Sequence, residues 1–286
     1  MAESFSSAAT THVPARSISL PTRLIHPKEQ RFEEELKKIQ ALNFSSSTSS
    51  RIQLGLAKLV HLYDFVNEQV ICSPQGQKAL HLCHLTKLVE HALDESILLL
   101  DVSDITRDLI ETFMEQIQDL QSALRRRRGD LSNVQSEIQT YITFQKKFKN
   151  AAARQLKSLA RTQTKKKSPV IKQSSDLDQH SSMVSIILRQ SNTSTISIFQ
   201  SLLQFLSSSD ENQKENGEIG CVENSIIRFV YGRIIGRKIV KVIDAQTMLG
   251  RLAMLNLSLE AIKDELSYLS RRLIQHRASL LNIITP

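Results

Sequence analysis

The sequence predicts an all-α fold, an elongated bundle of long antiparallel helices with coiled-coil-like packing behind a disordered N-terminal tail. Three observations carry that reading. First, Ala245, Met248, Leu252, Leu255, Leu259, Ile262, Leu266, Leu269, Leu273, His276 and Leu280 follow one another at alternating gaps of three and four. A mean spacing of 3.5 keeps such a stripe on one face of a supercoiled helix, and forty residues make a rod of about 60 Å. Second, breakers are few, with 8 Gly and 6 Pro in 286 residues. Third, aromatic residues make up 5% and Trp is absent, whereas sheets favour aromatic and β-branched side chains. A hydrophobic content of 41% is enough to build a core.

The elements follow in order. Residues 1–26 are rich in Ser, Thr and Ala and read as a disordered tail, weakly like a plastid transit peptide. Residues 27–286 read as a single bundle domain with polar linkers near 43–50, 162–180 and 207–220. A first helix is expected over Pro27–Leu42 from the spacing of Phe32, Leu36 and Ile39. A second spans Arg51–Cys72, with Ile52, Leu56, Leu59, Leu62 or Tyr63, and Val66 inward. Ser73-Pro74 then reads as an N-cap followed by proline at the first helical position.

The next pattern runs from Pro74 to Arg128, with a possible break near Asp101–Asp104. Its later half repeats as Val102, Ile105, Leu109, Phe113, Ile117, Leu120 and Leu124. Gly129 fits a left-handed cap after it, and Asp130 fits the N-cap of a partner helix reaching Arg161. Its stripe is Leu131, Val134, Ile138, Tyr141, Phe148, Ala152 and Leu159. Such a pair makes an αα-hairpin. A further helix is expected over Ser181–Leu206. The most regular helix runs from about Asp244 to the end. Other long amphipathic helices precede it, so an intramolecular bundle is favoured over a free zipper. His276, the polar residue of its stripe, is expected near the open end.

The net charge is +8, and its placement matters more than its size. Residues 121–172 hold fourteen Lys or Arg against Asp130 and Glu137, a local charge of +12 that leaves −4 for the rest. Arg125, Arg126, Arg127 and Arg128 end one helix, and Lys165, Lys166 and Lys167 follow the next. A solvated, dipole-complementing end is the plain reading of the arginines. The functional reading is an anion or partner site for acidic protein, anionic membrane surface or, less favoured, nucleic acid. Lys146, Lys149, Lys157 and Arg161 tend to one side of their helix. Nucleic-acid readers interleave aromatics for stacking, but Tyr141, Phe144 and Phe148 have core spacing here. Ile226–Ile243 carries five cations and no acid; an ordinary bundle helix is favoured there over one lying on a bilayer.

Catalytic signatures do not emerge: there is no Walker loop, GxGxxG, HExxH or GxSxG. His61, Cys72, His81, Cys83, His84 and His91 lack paired metal-ligand spacings, so neither metal nor cofactor is expected. Asp101, Asp104 and Asp108 read as a solvated face. Three cysteines fit a reducing compartment, and no apolar run is long enough to span a membrane. A cytoplasmic location is expected, with nucleus, peripheral membrane and plastid as alternatives. Arg16-Ser17-Ile18-Ser19-Leu20-Pro21 has the arrangement that 14-3-3 proteins bind once the second serine is phosphorylated. Arg16, Ser19 and Pro21 are therefore candidate phospho-docking residues. Titrating a phosphorylated 12–26 peptide with a 14-3-3 protein tests this, and absence of binding rejects it.

Three blocks are similar to a known family: HVPARSISLPTRLIHP at 12–27, QDLQSALRRRRG at 118–129 and LSRRLIQHRASLLNII at 269–284. They resemble the plant BYPASS-related family, whose biochemical function is unknown. The blocks lie at both ends and in the middle, with least likeness over 165–245. The resemblance implies a role in root and shoot development and brings no activity, cofactor or catalytic residue. The expected function is that of a non-enzymatic helical interaction or regulatory protein. The alternative is an anion-binding module contacting acidic lipid or nucleic acid through residues 121–172.

Overall fold

The computed structural model describes residues 27–42, 48–81, 83–126, 135–165, 179–207 and 240–285, together with Ile219, Val222 and Ile226. Among these residues there is no strand, and the fold is all-α. The helices are α1 (Pro27–Gln40), α2 (Ser49–Phe65), α3 (Pro74–Leu80), α4 (Cys83–Arg126), α5 (Gln135–Lys165), α6 (Gln179–Ser207) and α7 (Val240–Ile284). A π-helical turn, Val66–Ile71, continues α2. The 44 residues of α4 and the 45 of α7 make rods of roughly 65 Å each.

Helix α7 forms because its apolar stripe has somewhere to go. Met248, Leu252, Leu255, Leu259, Ile262, Leu266, Leu269, Leu273 and Leu280 are all 0–1% exposed. They fill the groove between α2 and α4, the two helices α7 meets most extensively. Truncating one such leucine to alanine costs about 2–5 kcal/mol.

Polar contacts on either side of the stripe fix direction. Toward α2, Gln53 Nε2 donates to Ser258 O at 3.2 Å, Arg272 Nε lies 2.8 Å from Asp64 Oδ1, and Cys72 Sγ meets Ser279 Oγ at 3.9 Å. Numbers rise together, so α2 and α7 are parallel. Toward α4, Lys263 meets Glu111 at 4.0 Å, Ser270 meets Ser103 at 2.7 Å, and Arg277 Nη1 donates to Leu93 O at 2.6 Å. Numbers rise on one helix as they fall on the other, so α4 and α7 are antiparallel. Helix α6 packs against α2, α4 and α5.

The α4–α5 hairpin is held by aromatics. The Phe113 ring stacks on Phe148 with centroids 4.4 Å apart and lies 6.3 Å from Tyr141. Ile138, Tyr141, Phe148, Ala152 and Leu159 are buried as their spacing predicts, as are Phe32, Leu36 and Ile39 of α1 and the inward residues of α2. Leu131, Val134, Gly129 and Asp130 lie outside the described residues.

The long expected helix from Pro74 breaks early. Ser73 Oγ accepts from Gly76 N at 3.1 Å and Pro74 opens α3, which ends at Leu80. No break occurs at Asp101–Asp104. Those carboxylates point outward while Val102, Thr106 and Ile110 continue the buried face, and Thr106 Oγ1 donates to Val102 O at 2.6 Å. The α4 stripe also differs by one residue. Ile105 is 39% exposed, and Ser103 and Thr106 take the inward positions beside it. Helix α7 begins four residues earlier than expected, at Val240.

Candidate functional site

Four long elements meet at one polar layer inside the apolar core. From α2 and its π turn come Tyr63 and Asn67, from α4 His91, Glu95 and Ser96, from α6 Asn192 and Thr195, and from α7 His276 and Arg277. The sequence places His276 near an open end, but it lies inside, where a polar residue in an apolar seam needs a buried polar neighbour. Asn67 is that neighbour. The π turn, with Cys72 N donating to Asn67 O at 2.9 Å, shifts the helical phase and turns the Asn67 side chain inward.

His276 Nδ1 lies 2.9 Å from Asn67 Oδ1. With that oxygen facing the ring, Nδ1 carries the proton and donates. The Tyr63 and His276 rings meet edge to face, with centroids 5.1 Å apart and planes at 74°. His276 is 2% exposed, not at an open end as expected, and burial lowers its pKa to about 4. It is therefore neutral at pH 7. Burial raises the Tyr63 phenol well above its ordinary value, so it too stays neutral.

The hydrogen-bond roles follow from proton bookkeeping. Thr195 Oγ1 donates to Ser191 O at 2.8 Å, so it accepts from Tyr63 OH at 3.0 Å. Asn192 Nδ2 donates to Glu95 Oε2, which also lies 3.4 Å from His91 Nδ1. Arg277 Nη1 reaches both Leu93 O and, at 3.0 Å, Ser96 Oγ. Sliding α7 by one turn would strip partners from Asn67, Asp64 and Ser103 together. An unpartnered buried polar group costs about 1–3 kcal/mol. The layer thus fixes register and engages Tyr63, Glu95 and His276 across helices, while His91 contacts Glu95 within α4.

The charged residues lie on the outside. On α5, Lys146, Lys147, Arg154, Lys157 and Arg161 are exposed along one ridge, and Glu137 is the sole acid in the helix. Lys149 departs from the expected face and is 9% exposed. On α4 one outward ridge is rich in acids: Glu90, Asp94, Asp101, Asp104, Asp108, Glu111, Glu115 and Asp119 are all exposed. A hairpin thus carries opposite charge on its two outer ridges.

The structure separates the basic residues that the sequence groups in one segment. Arg125 and Arg126 are exposed at the hairpin end of α4, while Lys165 closes α5 at the other end, about 45 Å away along 31 residues. The side chain of Lys165, and all of Arg127, Arg128, Lys166 and Lys167, lie outside the described residues. So do Arg16, Ser19 and Pro21. Among the described residues, no group of three or more His, Cys, Asp or Glu is arranged to hold a metal ion. His61 is exposed and Cys72 sits against Ser279. No described helix is long and apolar enough to cross a membrane.

No curated protein and no solved structure matches the chain. A family model described as Protein BPS1 matches residues 55–283, which takes in most of α2, all of α3 to α6 and nearly all of α7. That match spans well over half of the chain and agrees with the BYPASS-related likeness of the sequence blocks. The chain belongs to the Protein BPS1 family.

Proposed function

We propose that this protein is a non-enzymatic helical interaction protein with a regulatory role in plant root and shoot development, and that the outward ridge of α5 docks acidic protein surfaces. One observation carries the reading. Lys146, Lys147, Arg154 and Lys157 stand exposed on one side of a helix whose single acid is Glu137. The buried groups with chemical potential, Tyr63 and His276 above all, are engaged with other helices. The developmental part rests on family membership, which is compatible with it.

A second reading, an anionic membrane surface as the partner, draws on the same cations. Nucleic acid is less favoured, because Phe113, Tyr141 and Phe148 stack on each other in the core and leave no ring on the ridge for a base. The test uses the full chain and a variant with Lys146, Lys147, Arg154 and Lys157 all changed to Gln. Phosphatidylserine vesicles and acidic proteins from plant extract are offered to both at rising salt. The proposal expects protein capture that falls with salt and is lost in the variant, with an unchanged circular dichroism spectrum. Capture by vesicles alone favours the second reading; equal capture by both chains rejects the ridge.

A further inference from the structure

Helix α7 has a second regular face. Opposite its buried seam run Leu257, Glu260, Asp264, Ser267, Arg271 and Ile274, again at gaps of three and four. Leu257 and Ile274 are 59% and 57% exposed, unusual for large aliphatic side chains. Glu260, Asp264 and Arg271 are exposed, and among the described residues none of the three is in an ion pair. The Arg271 guanidinium lies over the Tyr268 ring, 5.8 Å from its centroid.

Read from either end the ridge runs apolar, charged, then the central pair Asp264 and Ser267, then charged and apolar again. The charges at matching places are opposite in sign, acidic at Glu260 and basic at Arg271. Ala253 and Ala278 extend the symmetry outward and are small enough for two helices to approach closely. An antiparallel copy of the same helix, related by a twofold axis at the level of Glu265 and Leu266, satisfies every place at once. Leu257 then meets Ile274 of the partner subunit, Glu260 meets the partner's Arg271, and Asp264 faces the partner's Ser267, whose hydroxyl turns from Lys263 O, its acceptor at 2.9 Å in the single chain, to donate to the carboxylate. A twofold axis makes each of these contacts twice.

We propose that this ridge of α7 is the docking surface for a second copy of the chain, packed antiparallel about that axis. Other arrangements match worse, two by setting like charges together and one by setting a carboxylate against an aliphatic side chain. Parallel pairing sets Glu260 against Glu260 and Arg271 against Arg271. An antiparallel slip of one heptad sets Glu260 against Asp264 in one direction and Asp264 against Ile274 in the other. Like charges facing across an interface oppose the wrong register more strongly than matched charges add affinity to the right one. Met254, 66% exposed, and Tyr268, 54% exposed, flank the ridge and add apolar area.

The test is a charge swap read by sedimentation velocity and light scattering on the full chain. The wild-type protein is expected to form a concentration-dependent species of twice the 32.4 kDa chain mass. Glu260→Arg alone and Arg271→Glu alone each place like charges at both contacts and should weaken dimers by about ten-fold or more. Mixing the two single variants restores both opposite-charge contacts, so the mixture should dimerise although neither variant does so alone. Both positions are solvent-facing, and recovery on mixing shows that both variants fold. A wild-type chain that stays monomeric at all concentrations overturns the proposal. So does a dimer indifferent to the single changes, or one that mixing fails to restore.

Discussion

At the scale of the residue, His276 connects sequence, packing and pH. Its side chain stands in line with Leu269, Leu273 and Leu280, so sequence spacing places it on the buried face of α7. That spacing does not reveal Asn67, Tyr63, Asn192 or Glu95, which are ordinary polar residues until four elements meet. The π turn at Val66–Ile71 has no local signature either, because its phase shift answers to tertiary packing. A pH dependence follows. The folded pKa of about 4 lies below the ordinary value of 6.5, so the unfolded chain binds more protons between those values. Stability from this group is complete above pH 6.5 and falls as pH drops toward 4, by on the order of 3 kcal/mol in total. Urea midpoints across that window should fall for the wild type and fall less for His276→Gln, which keeps a donor for Asn67. Parallel curves for the two proteins would show that another group sets the dependence.

At the scale of the element, spacing was a sound guide wherever one face of a helix is continuously buried, as in α7, α5 and α2. It failed where burial changes phase. Ile105 and Thr106 differ by 100° on α4, and the sequence favours the isoleucine while packing favours the threonine. The break before α4 falls at His81, after the short helix α3, and has no signature in the spacing, whereas the Ser73-Pro74 start of α3 is legible in the sequence. Two glycines make opposite predictions. A Cβ on Gly76 would lie 1.6 Å from Val70 O, a backbone atom that cannot yield cheaply. Gly76→Ala should therefore destabilise by several kcal/mol, roughly the scale of severe overpacking. A Cβ on Gly250 meets nothing within 4 Å, so Gly250→Ala, well inside α7, should stabilise by about 0.5–1 kcal/mol. Thermal melts of the two variants check both signs. A neutral Gly76→Ala would mean that the α3 entry is looser than its geometry.

At the scale of the whole molecule, the bundle keeps its buried polar groups for register and presents charge outside. The sequence showed the charge excess of residues 121–172 but not its division, because α4 and α5 fold back and place Arg125 and Lys165 at opposite ends of a rod. Nor did composition show that the two outer ridges of the hairpin have opposite sign, since their acids and bases are interspersed with core residues at helical spacing. The proposed recognition of partners by the α5 ridge can be tested in the cell. Proximity labelling from the intact protein in plant cells tests it most directly, comparing three chains. These are the wild type, the variant with Lys146, Lys147, Arg154 and Lys157 changed to Gln, and one with Arg125 and Arg126 changed to Gln. The ridge variant should lose the specifically labelled proteins while the hairpin-end variant keeps them. Labelling that survives the ridge changes and disappears with Arg125 and Arg126 would contradict it.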